Sequence, residues 1–154
     1  MLILARLGCR NDLQNMLRYF FSTDVFYSTG MTDHNTDRNR GVFCTDTLLG
    51  LQGVIQEMLL YSDEKCIILF PGLPLEWNKG VTTGLRMRCH VLAEELCWNF
   101  EEGYVRLRLI PDCNFNGVIK IDIPGFKLKG QTEQQNNTLI LTHNQSYSLL
   151  WEKV

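Results

Sequence analysis

A chain of 154 residues, 45% of them hydrophobic and 10% aromatic, can bury a core and reads as folded rather than disordered. Its formal net charge of -2 gives no electrostatic case for nucleic acid or an anionic membrane as a partner, and no apolar run approaches the roughly 20 residues that a membrane helix needs. The six cysteines, at positions 9, 44, 66, 89, 97 and 113, form no C-x-x-C pair and no Cys/His metal spacing, so no metal or cofactor is expected. Reduced thiols in a cytoplasmic protein are the expectation, set against a disulfide framework.

In chain order, residues 2 to about 21 read as helical with a break at Gly8 to Asn11. Leu13, Met16, Leu17, Phe20 and Phe21 form the stripe of the second helix, with Asn11 or Asp12 as its cap. Arg6 and Arg10 follow the first apolar residues instead of preceding them, the wrong order for a secretory signal. From Ser22 to Thr45 the chain turns polar. A connection of that length inside a domain is uncommon and often functional.

Next, Leu48, Leu51, Ile55, Met58 and Leu59 recur at helical spacing, which predicts one buried helix over 46–61, with Gly50 and Gly53 packed closely against neighbours. A turn at Tyr61 to Glu64 leads into Cys66 to Phe70, a short apolar run suited to a buried strand that Pro71 and Pro74 end. Beyond it the period changes to two. Gly84 to His90 and Tyr104 to Ile110 alternate, Val91 to Trp98 carries Val91, Leu92, Leu96 and Trp98, and Glu101, Glu102 and Gly103 make a hairpin turn between the last two. Shorter strands follow at Val118 to Ile123, Phe126 to Leu128, Thr138 to Thr142 and Tyr147 to Trp151, and Gln131 to Asn137 is a polar loop. Regular short strands with such turns predict an antiparallel sandwich.

The order of a helix, QEMLLYS, a short acidic turn, an apolar strand, FPGLPLEW, a Lys-Gly pair and GLRMR resembles the C-terminal part of glycoside hydrolase family 95, the α-L-fucosidase-like enzymes. There the pattern runs approximately FQIDGNFG, EMLLQS, LLPALPxxW and GxVxGLRARGG. Phe43, Asp46, Gly50, Glu57 and Met58 fall in register with it, and Pro71, Leu73, Pro74, Trp77, Gly80, Gly84, Leu85, Arg86 and Arg88 continue the match. The resemblance implies an α+β chain, the last helices of an (α/α)6 barrel over 1–64 followed by an antiparallel β-sandwich over 65–154. It spans only the tail of much longer enzymes.

The resemblance also places Asp46 on the family's active-site aspartate, which acts with an upstream amide to activate water for inverting hydrolysis. Such chemistry needs a second carboxyl group at roughly 6.5–9.5 Å. The family's general acid Glu and partner Asn lie upstream of the matched segment, and Glu57 would stand on the order of 16 Å from Asp46 along the helix axis. Cys44, Leu48 and Leu49 occupy positions where the family has Gln, Asn and an aromatic residue or Met. A helix N-cap, contributing about 1 kcal/mol, is the other account of Asp46.

In the loop before Asp46 stand Asp33, His34, Asp37, Arg38 and Arg40. The family's His-Pro-Pro lead-in is absent, so no sugar-binding role carries to His34, and a solvated loop is the simpler account. Trp77 is read as a core or interface anchor ahead of a sugar platform. Arg86 and Arg88 are expected on one strand face, in ion pairs or carbonyl contacts where the two lobes meet. The whole is expected to be a fragment or degenerate relative of the enzyme, inactive alone. A non-catalytic carbohydrate-binding or protein-interaction sandwich is the alternative. Uncovered apolar positions among residues 1–21 imply self-association or an upstream barrel fragment as partner.

Overall fold

A computed structural model describes residues 1–22, 44–129 and 138–154. The polar connection with Asp33, His34, Asp37, Arg38 and Arg40, Phe43 of the family pattern, and the loop Gln131 to Asn137 lie outside the described residues.

Three helices come first: α1 (Leu2–Arg6), α2 (Arg10–Ser22) and α3 (Thr45–Leu59). Gly8, at φ +71°, makes the break between α1 and α2, a left-handed position that a Cβ disfavours. The expected caps of α2 are displaced, because the Cys9 carbonyl already accepts from Leu13 N at 3.0 Å. Asn11 and Asp12 therefore sit inside the first turn, where Asp12 complements the helix dipole without capping.

Helix α3 ends two residues sooner than the sequence predicts. Leu60 is already extended, at φ -152°, and β1 (Leu60–Ser62) pairs antiparallel with β2 (Cys66–Leu69) around the turn Asp63 to Lys65. Asp63 closes that turn, its Oδ1 accepting from Lys65 N at 2.8 Å. The apolar LLYS satisfies either period, so the switch left no mark in the pattern. Gly50 and Gly53 are a second correction. Both are exposed, and a Cβ on either would meet nothing within 4 Å.

The remaining strands are β3 (Lys79–Arg86), β4 (Val91–Asn99), β5 (Tyr104–Pro111), β6 (Phe115–Ile121), β7 (Phe126–Leu128), β8 (Thr138–Leu141) and β9 (Tyr147–Lys153). They form two sheets, one ordered β1-β2-β6-β8 and the other β3-β4-β5-β9-β7. Strand β3 begins at Lys79, five residues ahead of the expected Gly84, and Arg88 falls in the turn after it. The sheets are not wholly antiparallel, since β2 and β6 run parallel, with Cys66 opposite Val118 and Leu69 opposite Ile121. Gly117 permits that approach: a Cβ there would lie 2.7 Å from the Lys65 carbonyl carbon.

The inward faces of both sheets share one core, built on Ile67, Leu69, Phe70, Leu96, Leu107, Leu109, Ile119 and Leu141, an α+β arrangement consistent with a β-sandwich. Phe70 stacks obliquely on Trp98 at 5.4 Å and edge-on to Phe100 at 5.5 Å. A smaller core of Ala5, Leu13, Leu17, Leu51, Val54 and Met58 holds the helices together, and Ile55 touches both cores. All six cysteines are free thiols. Burial pushes the Cys66 and Cys89 thiols up from their ordinary pKa, which disfavours the thiolate form.

Candidate functional site

Asp46 lies exposed in the first turn of α3. The N-cap position belongs instead to Cys44, whose backbone is extended at φ -113°, so the capping account of Asp46 is corrected. Thr47 Oγ1 approaches Cys44 Sγ at 2.9 Å, and Asp46 makes no hydrogen bond or ion pair among the described residues. Its carboxylate complements the helix dipole and remains open to solvent.

Among the described residues, the densest polar cluster centres on Glu57, eleven residues further along α3 and buried. Arg6 of α1 donates to it through two nitrogens, Nε to Oε2 and Nη2 to Oε1, each at 3.1 Å. Arg88, from the turn after β3, donates to the same Oε1. The hydrogen bond from Arg6 to Glu57 raises the Arg6 pKa, holding the guanidinium charged against its partial desolvation. Around this clamp, Ser62 Oγ accepts from Arg88 N at 2.8 Å, and the Arg88 guanidinium lies 5.8 Å from the Tyr61 ring centroid. Gln56 Nε2 donates to Arg86 O at 2.8 Å, while the Arg86 side chain pairs with Asp112. The expected ion pairs of Arg86 and Arg88 are thus present, with Arg88 joining the helices to the sheets.

This arrangement is a fastener. Both oxygens of Glu57 are already engaged by cations, so it is poorly placed to donate a proton. Glu57→Gln keeps the shape and removes the charge. It is expected to raise hydrogen exchange in α1 by about tenfold while the β4–β5 amides keep their protection. Equal acceleration in both regions would mean that the clamp supports the whole fold instead of α1 docking.

Trp77 is anchored through its backbone while its side chain stays partly exposed. Its backbone is anchored, with Trp77 N donating to Pro74 O at 3.0 Å and Trp77 O accepting from Trp98 Nε1 at 2.8 Å. Trp77 is 41% exposed and flanks a groove of about 430 Å³ between α2 and the Pro74–Trp77 turn. Leu17, Phe21 and Pro74 supply the apolar lining. Across it Arg18 Nη2 donates to both carboxylate oxygens of Glu76, at 2.7 and 2.8 Å. Arg18 and Glu76 stand 58 positions apart in the chain, so no local signal assembles this groove.

Among the described residues no group of His, Cys, Asp and Glu could hold a metal ion, and no helix is long and apolar enough to cross a membrane. Compared with known proteins, the chain matches no family model and no curated sequence.

Proposed function

We propose that this chain is the closing part of an α-L-fucosidase-like glycoside hydrolase, or a degenerate relative of one, in which the terminal helices of an (α/α)6 barrel meet the C-terminal β-sandwich. The observation that carries this reading is the Glu57–Arg88 contact. Two positions of the family pattern, 31 residues apart, close on one another where the helices join the sheets, and Arg6 completes the clamp. Pro71, Leu73 and Pro74, also in the pattern, are buried. Asp46 then stands at the family's active-site aspartate, and the six free thiols fit a cytoplasmic setting.

Glycoside inversion needs a carboxylic acid to protonate the leaving group as well as a base to activate water. Asp46 supplies one carboxylate, and Glu57 is committed to its arginines. The isolated chain is therefore expected to turn over neither aryl α-L-fucosides nor aryl galactosides above background in a chromogenic assay. Turnover that disappears in Asp46→Asn would overturn the claim of inactivity. The coding sequence immediately upstream tests the family reading itself. A barrel carrying the acid Glu and the Asn supports it, and an unrelated domain there sinks it.

The reading extends to partners. Leu2, Ile3, Leu7, Met16, Tyr19 and Phe21 all remain exposed on α1, α2 and the turn between them. Burying several hundred Å² of such surface, at roughly 25 cal/mol per Å², is a substantial drive to associate. Self-association, or docking of a barrel fragment, follows. Light scattering across a dilution series is expected to show mass rising with concentration, and a strict monomer at all concentrations would contradict it.

A further inference from the structure

We infer that the groove between α2 and the Pro74–Trp77 turn is a non-catalytic carbohydrate site, taking a neutral pyranose ring against the Trp77 indole. Three features of the groove point to that chemistry. The Trp77 backbone is held at both its N–H and its carbonyl, which fixes the turn that carries the half-exposed indole to the groove. Phe21, Leu17 and Pro74 continue the apolar lining, while Arg18, Glu76, Gln14 and Ser22 supply donors and acceptors at the same groove. Finally, Arg18 and Glu76 neutralise each other, which removes the attraction for an anion or a cation and leaves a planar fork of hydrogen-bonding groups.

A pyranose suits this lining because one face of the ring presents only C–H groups to an aromatic plane while its edge carries hydroxyls. The volume, about 430 Å³, admits one or two sugar rings. Asp46 does not line the groove. The two sites are therefore separate: the groove retains a sugar, whether or not hydrolysis takes place elsewhere. The inference draws on the proposed carbohydrate setting only for the choice of probes.

The test is a titration of the full chain with methyl α-L-fucopyranoside and methyl β-D-galactopyranoside, followed by NMR of the three tryptophan indole N–H resonances. Trp151 is buried and serves as the internal reference, whereas the Trp98 indole N–H, bonded to the Trp77 carbonyl, follows the Trp77 turn. The Trp77 resonance is expected to move with at least one sugar. Trp77→Ala is expected to weaken affinity about tenfold or more, with Trp77→Tyr retaining most of it. Arg18→Gln, which leaves Glu76 unpaired, is expected to weaken it as well, and thermal melts identify any variant that has unfolded.

No shift with either sugar overturns the inference while leaving the family reading to stand on its upstream sequence. Binding lost in Asp46→Asn but retained in Trp77→Ala would transfer the sugar to α3 and also overturn it. So would a groove that ignores both pyranosides and binds an apolar peptide.

Discussion

Phe70→Ala is expected to destabilise the protein by about 3–5 kcal/mol, read as a fall in the denaturant midpoint at unchanged slope. Phe70 is fully buried, and its ring meets both Trp98 and Phe100, so truncation opens a cavity where the β2 end, β4 and the hairpin turn converge. Its backbone makes the site diagnostic. Phe70 sits at φ +58°, a left-handed conformation that bulky side chains rarely adopt. Alanine keeps that strain and glycine releases it. Phe70→Gly is therefore expected to be no less stable than Phe70→Ala, the reverse of the usual order within a folded element. A glycine variant clearly weaker than the alanine variant would show that the strain is not borne at this residue.

Gly72→Ala is expected to detach α1. A Cβ at Gly72 would lie 2.8 Å from Ala5 Cα and 3.0 Å from Ala5 O, backbone atoms that have no flexible end to swing aside. The cost is about 1–3 kcal/mol. It should appear as lost protection in α1, with the β4–β5 amides unaffected in hydrogen exchange. Because Glu57→Gln loosens the same docking, the double variant is expected to lose less than the two single effects added together. Full additivity would mean that the clamp and the Gly72 contact act on separate units.

Legibility followed the range of the interactions. Strands β4 and β5 and their turn were readable because alternation and Gly103, at φ +76°, are local signals of a hairpin with one buried face. The beginning of β3 was not, because KGVTT is an exposed edge in which no apolar alternation is required. At Gly80, a position of the family pattern, the Trp98 ring lies over the backbone, and a Cβ would collide with that ring. The parallel pairing of β2 with β6 leaves no trace in either strand alone. Of the candidate residues, Asp46 stands out through the resemblance alone, since its own surroundings carry no local signal of catalysis. The Arg6–Glu57–Arg88 clamp and the Arg18–Glu76 pair join residues far apart in sequence, which periodicity does not report.

That parallel pair also bears on the order in which the chain can assemble. The β1–β2 hairpin and the β3–β4–β5 meander each form from neighbouring residues, whereas β2 and β6 meet only after everything between Phe70 and Asn114 has been drawn into a closed loop. Loop-closure entropy is paid before those hydrogen bonds reward it. Ready-made meander structure shortens the effective loop, so the meander is expected to form first and the β2–β6 seam to close late. Until it does, Ile67 and Leu69 have no β6 beside them, and a newly made chain at that stage is most exposed to pairing with another copy through β2.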